Sequence, residues 1–374
     1  MITLVLIALV AGSLVFTLLA IVAARRYMEA TAEADGPQQP ISILKPLAGV
    51  DEGLEENLRS FFDQRYGMFE ILMAVSTEDD GALPIARRLQ SEHPHIPTRI
   101  IVTGEPPYPN RKVASITAMA QQAAHELLVM SDSDIRVTPE MLTSIDAEFA
   151  DPRLVLSTCP YRAVPGDSLW SKLEAVMMNT EFLAGILTAR LLEGMRFAVG
   201  PTIVCRKGAL ETIGGFETLR HYLAEDFVFG QRVAEAGLGV GLSAYVVEHR
   251  IGTADFRRNA DHRLRWVRST RRSRPAGYIG QLFTYPLPLA VLLTLWSPAW
   301  WPLLLCAATL RMASAWQTAV RILHDPIVAR QPWLVPIQDM MSFLFWIAGF
   351  IGNTIQWRGK VFYLRKDGTF EQLR

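Results

Sequence analysis

Residues 2–24 carry no charged side chain and are almost entirely apolar. A run of that length exceeds the roughly 20 apolar residues a helix needs to cross the hydrocarbon core of a bilayer. The rest of the chain must therefore be built beside a membrane. Arg25 and Arg26 follow the run at once. A secretory signal places its positive charge ahead of its apolar stretch, and here the order is reversed. Because positive charge is retained on the inner side, the expectation is an N-terminal transmembrane anchor over residues 1–26, with residue 25 onward in the cytoplasm.

Half of the 374 residues are hydrophobic, more than a soluble enzyme of this size needs, while 37 basic residues balance 37 acidic ones. That neutrality gives no hint of a nucleic-acid partner. Cys159, Cys205 and Cys306 lack the spacing of a zinc site or a disulfide framework. They read as reduced thiols in apolar surroundings.

A polar, Ala/Glu/Gly/Gln-rich linker over residues 27–40 ends in Pro40. Beyond it, short apolar runs alternate with amphipathic stretches. Strands are expected at Ile41–Leu44, Phe69–Val75, Thr98–Val102 and Glu126–Met130. Helices are expected at Leu54–Gln64, Leu83–Glu92 and Lys112–Ala123. Such alternation predicts a parallel sheet covered by helices on both faces. Further on, Leu169–Leu192 and Phe227–Ala236 have helical period, and Ala198–Cys205 and Val240–Val247 read as strands. From Gln281 the chain turns apolar again, with candidate spans at Leu282–Trp296, Trp300–Ala319 and Trp333–Trp357. Three crossings would leave the C-terminus outside, yet Arg358, Lys360, Arg365, Lys366 and Arg374 favour the inside. Pro336, Gln338 and Asp339 weaken the last span, so one segment is expected to be re-entrant or interfacial.

Four stretches carry the chemistry. A buried strand runs out into Asp132-Ser133-Asp134, and ligands of open α/β sheets sit outside the carboxyl ends of strands. Two carboxylates at that spacing can share a divalent cation, Mg²⁺ or Mn²⁺, with diphosphate oxygens. They can equally be turn residues. Glu78-Asp79-Asp80 follows the second strand, where a carboxylate can bind a base or ribose or merely cap a helix. Glu225-Asp226 stands at a helix start, suited to the helix dipole or to general-base work. Arg257, Arg258, Arg263, Arg265, Arg268, Arg271, Arg272 and Arg274 surround Trp266. Guanidinium groups bind phosphate in a fork, and the last of them also suit anionic lipid head groups.

In order, these stretches resemble the D, DxD, ED and (Q/R)xxRW pattern of family-two type glycosyltransferases with a GT-A fold. Within these the chain is most similar to the ceramide glucosyltransferase group and its hopanoid-biosynthesis-associated bacterial relatives. The supporting residues are Leu44 to Asp51, Asp79-Asp80, Asn110-Arg111-Lys112, Asp132 to Val137, Ala224-Glu225-Asp226 and Arg265-Trp266.

The resemblance implies a Rossmann-like, nucleotide-diphospho-sugar transferase domain of α/β class over residues 41–275. A C-terminal membrane region with a basic tail would occupy residues 276–374. It implies that Asp80, Asp132, Lys112, Arg265 and Trp266 bind a UDP-sugar, and that Asp134 and Asp132 hold a divalent cation. Asp226 would be the catalytic base, with Glu225 beside it. His262 stands where the pattern has Gln or Arg, so its part in donor binding is open.

The activity implied is inverting transfer from UDP-N-acetylglucosamine or UDP-glucose to the hydroxyl of a membrane lipid, a hopanoid by the lean of the Ala/Arg-rich composition. The location implied is the cytoplasmic face of a bacterial inner membrane. A ceramide glucosyltransferase, a polysaccharide synthase and a non-catalytic nucleotide-sugar-binding membrane protein are the alternatives.

Overall fold

A computed structural model describes residues 1–29, 38–357 and 359–373. Most of the expected linker, together with Arg358 and Arg374 of the expected basic tail, lies outside the described residues.

Among the described residues thirteen strands occur in chain order: β1 (Ile41–Pro46), β2 (Phe69–Val75), β3 (Thr98–Val102), β4 (Leu127–Ser131), β5 (Ile135–Arg136), β6 (Leu154–Thr158), β7 (Tyr161–Pro165), β8 (Thr202–Arg206), β9 (Gly239–Leu242), β10 (Val247–Gly252), β11 (Thr354–Trp357), β12 (Lys360–Leu364) and β13 (Phe370–Gln372). Seven of them form the main sheet in the order β3-β2-β1-β4-β8-β6-β9.

The first strands read as near-continuous apolar runs because both faces of the sheet are covered. Ile41 and Ile43 of β1, Ile71, Met73 and Val75 of β2, and Leu127 and Val129 of β4 point into one core with Leu58, Phe61 and Leu89. The alternate residues Leu44, Leu72, Ala74, Leu128 and Met130 point into the other, against Val113, Ile116, Phe229 and Val233.

The sheet is mixed, which corrects the parallel expectation. β1, β2, β3 and β4 run parallel, whereas β8 is antiparallel to both β4 and β6. Local apolar pattern does not encode strand direction. The single strand expected at Val240–Val247 is two strands in two sheets. β9 pairs with β6, and β10 joins β5 and β7 in a smaller sheet. That smaller sheet carries β10 to the segment following β4, where the Arg250 amide donates to the Asp134 carbonyl at 2.8 Å.

Among the described residues three helices are long and apolar enough to cross a membrane: Ile2–Met28, Leu169–Glu193 and Pro298–Ile322. The first extends past Arg26 into the expected linker. The second was expected as a helix but not as a span. Its most apolar window is 56% buried against the rest of the chain, compared with 22% for Ile2–Met28. That difference makes it the junction between the main sheet and the apolar helices. Its α-helix passes through a π turn at Met178–Phe182. Tyr27 ties the first helix to the sheet region by donating to the Ser243 carbonyl at 2.6 Å.

The expected span Leu282–Trp296 is part of a pair of helical segments, Pro275–Thr284 and Pro286–Trp296, bent by 62°. The expected span Trp333–Trp357 is a 15-residue helix, Leu334–Ala348, followed by a strand. At 1.5 Å per residue that helix is ~22 Å long, short of a ~30 Å hydrocarbon core.

Beyond it the tail folds as a three-stranded antiparallel sheet, β11-β12-β13. The Phe370 amide donates to the His221 carbonyl at 2.9 Å, and Thr369 forms a bridge with Tyr222. Arg268 and Arg271, on the helix Phe256–Ser273, donate to the carbonyls of Phe350, Ile351, Gly352 and Thr354.

The helix Glu225–Glu235 packs so closely on the chain before β8 that Gly230 is required. A Cβ there would lie 2.1 Å from the Ala198 nitrogen and 2.4 Å from the Phe197 carbonyl carbon. Gly230→Ala should therefore cost about 1–3 kcal/mol by overpacking. Gly208→Ala, where a Cβ meets nothing within 4 Å, should be neutral or stabilising by up to ~1 kcal/mol. Thermal unfolding of the two detergent-solubilised variants checks the pair, and equal melting temperatures would contradict it.

Candidate active site

β4 is buried through all five residues, and the chain leaves the sheet at Asp132, beside the reversal of strand order between β1 and β4. In an α/β sheet that is where a crevice opens. Asp132 is fixed there by its amide, which donates to the Pro201 carbonyl at 2.8 Å. Ser131 and Thr202 hydroxyls meet at 3.0 Å below it.

Lys112 lies on the first turn of the helix Arg111–Gln122, capped by Asn110, whose Oδ1 accepts from the Val113 amide at 3.2 Å. Its Nζ stands 2.8 Å from Asp132 Oδ1 and 3.1 Å from Glu225 Oε1. Asn110 Nδ2 donates to the other oxygen of Glu225 at 3.3 Å and to the Tyr222 carbonyl at 2.9 Å. One helix start thus gathers the two acidic motifs, although they lie almost a hundred residues apart in sequence. Asp226 is next to Glu225, and its Oδ2 accepts from the Gly200 amide at 2.5 Å. Lys112, Glu225, Asp226 and Gly200 line one small cavity with Met130 and Ile203.

Electrostatics separates the acids. Burial pushes the Asp226 carboxyl up to about 6 and the Glu225 charge adds to it, against Lys112 and the backbone amides. Asp132 is also raised by burial, with Asp134 adding to it and Lys112 opposing. Burial opposes ionisation of Asp134 too, but His249, Lys45 and Lys112 outweigh it and hold that carboxyl down at about 2.

His249, on β10, places Nε2 3.2 Å from Asp134 Oδ2. Burial alone would lower its pKa, and the Asp134 charge raises it. Lys45, at the end of β1, donates to the Asp132 carbonyl at 2.5 Å, and its ammonium lies 3.7 Å from the centre of the Phe61 ring. Burial brings it down to about 7 against the pull of Asp132 and Asp134. Neither His249 nor Lys45 was singled out as a site residue by sequence. Lys45 could have been found as a lone cation ending an apolar strand. His249 had no local signal, because its position depends on β10 pairing with β5.

The remaining expected residues are placed differently. Asp80 accepts from the Gly49 amide at 2.9 and 3.1 Å and from the Ala82 amide at 2.9 Å. It joins the loops after β1 and β2 and caps the following helix. His262 meets Glu174 through Nδ1. Burial, and then the Arg265 charge, hold its pKa below the usual value. Trp266 packs against Phe182 and His262, with ring centres 5.4 and 5.3 Å away. Phe182 lies 5.5 Å from Tyr161, whose ring is edge-on to His249 at 5.3 Å. Trp266 is thereby connected to Asp134. The Arg265 guanidinium lies over Trp357 of β11, 6.0 Å from the ring centre.

Among the described residues no three His, Cys, Asp or Glu side chains converge on one point as a ready-made metal cage. Asp134 Oδ1, however, is buried without a hydrogen-bond partner. A buried carboxylate oxygen left in that state costs free energy, and a hard cation needs such a donor. Mg²⁺-type sites commonly use one or two carboxylates and complete the shell with water and substrate phosphate, which fits this set.

Comparison with known proteins agrees with the geometry. The family model "Glycosyl transferase family 21" matches residues 3–370. Ceramide glucosyltransferase 1 of Caenorhabditis elegans is 29% identical over 215 residues, 57% of this chain and 46% of that relative. The chain thus spans about half the length of that relative. Ceramide glucosyltransferase 3 of the same organism is 22% identical over 348 residues, covering 88% of this chain and 73% of its own. A mannosyltransferase from Pyrobaculum calidifontis, solved in complex with GDP-Man and Mn²⁺, superposes with a TM-score of 0.58 at 17% identity, over 94% of this chain and 98% of that one. At that identity the likeness shows the fold, an α/β fold of GT-A type with a mixed sheet.

Lys112→Met should leave Asp132 and Glu225 facing each other without their shared cation. Because the Lys112 side chain keeps 24% of its exposure, the expected loss lies below that of a fully buried pair, at about 2–3 kcal/mol. Denaturant unfolding of the variant measures it. An unchanged midpoint would show that Lys112 does not hold the two motifs together.

Proposed function

The chain belongs to glycosyl transferase family 21, and from that premise we propose that it transfers a sugar from a UDP-sugar to a hydroxyl of a membrane lipid. The carrying observation is the convergence of Asp132 and Glu225 on Lys112, with Asp226 lining the same cavity and Asp134 adjacent, outside the ends of the parallel strands. A transferase acting on a charged diphosphate needs its acids sorted into two roles. One group holds the leaving group's charge through a cation, and another takes a proton. The pKa values of Asp134, about 2, and Asp226, about 6, lie on opposite sides of the ordinary carboxylate range. Such a split marks an acid–base assignment.

In this reading Asp226 is the general base. Its carboxyl is oriented by the Gly200 amide and takes the proton of the lipid hydroxyl as that oxygen attacks the anomeric carbon, inverting it. Asp134, with Asp132 beside it, would hold a divalent cation, Mg²⁺ or Mn²⁺, which when bound neutralises charge on the departing diphosphate. Lys112 keeps Asp132 and Glu225 in place. Asp80 fixes the loop against which the nucleoside would lie, and Trp266 closes the side facing the apolar helices. Arg265, positioned over Trp357, would reach the diphosphate from the helix Phe256–Ser273.

The relatives named above are ceramide glucosyltransferases, so the acceptor class proposed is ceramide-like. This displaces the hopanoid that composition favoured, which those relatives do not support. The enzyme would work at the cytoplasmic face, since Arg25 and Arg26 close the first apolar helix on the side of the sheet domain.

Two measurements test the proposal. Asp226→Asn should lower turnover about 10²–10⁴-fold and leave UDP binding in place; lost UDP binding with a surviving rate would reverse the assignment. A base works ionised, so kcat/KM should fall on the acid side with an apparent pKa near 6, as protonation of Asp226 sets in. Membranes incubated with labelled UDP-sugars and ceramide, followed by mass spectrometry of extracted lipids, provide the assay. A profile flat down to pH 5 would remove Asp226 from the base role.

A further inference from the structure

The helix Leu169–Glu193 is apolar enough to cross a membrane, yet its middle carries Glu174, Asn179, Thr180 and Glu181. Ionisable and polar groups at such positions are costly and need partners or a function. Three of the four have protein partners. Glu174 accepts from Asn259 at 2.8 Å and meets His262. Asn179 donates to Asp325 at 2.9 Å. Thr180 accepts from Arg311 at 2.9 Å, and Arg311 is otherwise paired with Asp339 at 2.7 Å.

Glu181 differs. Its Oε2 is buried and has no hydrogen-bond partner, while the residue as a whole stays partly exposed. The hydroxyls of Ser342 and Tyr285 lie against the carboxyl. Arg263, two residues before Arg265, lies within electrostatic range of it.

Glu181 sits in the π turn Met178–Phe182, an irregularity frequent at functional positions in helices. The next residue, Phe182, touches both Trp266 and Tyr161. The Tyr161 phenol lies within electrostatic range of Asp226, Glu174 and Asp134. Glu181 therefore stands between the proposed base and the apolar helices, with one acceptor oxygen unused.

Building on the function proposed above, we propose that Glu181 is the acceptor-headgroup site. It accepts a hydrogen bond from a second polar group of the lipid, a hydroxyl or amide N–H other than the hydroxyl that attacks. A lipid whose tail lies among the apolar helices would bring its head to the π turn Met178–Phe182, beside the contact of Phe182 with Trp266. The unmatched oxygen of Glu181 would then select lipids with two donors over simple long-chain alcohols. The chemistry is shared by an amide N–H and by a vicinal hydroxyl, and the experiment separates them.

The test uses the full-length protein in detergent with short-chain ceramide, its N-methyl amide analogue, its analogue lacking the second hydroxyl, and an alcohol of equal length. Binding without sugar donor is read by tryptophan fluorescence, and transfer by mass spectrometry. The wild type should prefer ceramide to the alcohol. Glu181→Leu and Glu181→Gln should shrink that preference about ten- to a hundred-fold, the size of a lost hydrogen bond to a charged group, with the KM for UDP-sugar held. The analogue whose binding no longer responds to the substitution identifies the group Glu181 contacts.

A preference unchanged in both variants, or ceramide and alcohol binding lost in equal proportion, overturns the proposal. Lipid binding that follows the prediction, without transfer from any UDP-sugar, would sink the proposed activity while sparing this site.

Discussion

The bridge from Lys112 to Asp132 and Glu225 is the interaction on which the candidate site depends. It brings the turn after β4 and the start of the helix Glu225–Glu235 to one ammonium. Four carboxylates share this region, and like charges a few ångströms apart in a poorly solvated crevice cannot all ionise without cations between them. Lys112, Lys45 and His249 supply that charge unevenly. His249, Lys45 and Lys112 outweigh burial at Asp134 and hold it at about 2, while burial and then the Glu225 charge raise Asp226 to about 6. Two chemically identical side chains are thereby given different acidities by position alone.

The parts of this arrangement that could be read from the sequence are those fixed by local rules. Ile41, Ile43, Ile71, Met73, Leu127 and Val129 are apolar because both faces of their sheet are covered, so the first four strands were visible as short runs. Asp132-Ser133-Asp134 and Glu225-Asp226 were visible because they interrupt such patterns at element ends. His249 was not, because it acquires its place from pairing over distance, and Lys45 was legible only as a lone cation ending an apolar strand, not as a neighbour of Asp132. β10 reaches Asp134 only through its antiparallel contact with β5. The antiparallel direction of β8 is likewise a property of sheet order. Trp333–Trp357 read as one apolar segment because hydropathy does not register where a helix stops. Gly352, at φ +78°, lies in the turn between the helix and β11.

The helix Leu169–Glu193 shows how one element serves two solvents. Leu173 and Val176 pack toward Ala315, Ala319, Leu334 and Val335 of the apolar helices. Ala175 and Met178 belong to the core beneath the main sheet, and Leu183, Ile186 and Leu187 pack with Ala23, Ala24 and Tyr27 of the first helix. The polar side chains between these apolar sets bind the arginine-bearing helix on one side and Arg311 and Asp325 on the other. An uninterrupted α-helix would keep its 3.6-residue period throughout. The π turn shifts the register and turns Phe182 toward Trp266 while Thr180 still reaches Arg311.

The position of the tail constrains the membrane arrangement more strongly than charge counting does. Phe370 is bonded to His221, Thr369 to Tyr222, and Arg271 to the carbonyls that precede β11. The C-terminal sheet thus lies on the same side as Glu225-Asp226. Any crossings between residue 275 and residue 353 must then be even in number. Pro286–Trp296 and Pro298–Ile322 lie side by side with Ile2–Met28, packing Leu289, Ala290 and Leu293 on Val10 and Ala307. After the second of them the chain returns to the sheet domain, where Arg162 donates to the Leu323 and His324 carbonyls. Leu334–Ala348 begins after that return and ends at Gly349, against Tyr278 and Val267. Its length of ~22 Å is short of a ~30 Å hydrocarbon core, and it carries the buried Gln338 and Asp339. The three apolar runs behind the parity conflict are thus not alike, since one belongs to a pair bent by 62° and another holds a helix of only 15 residues.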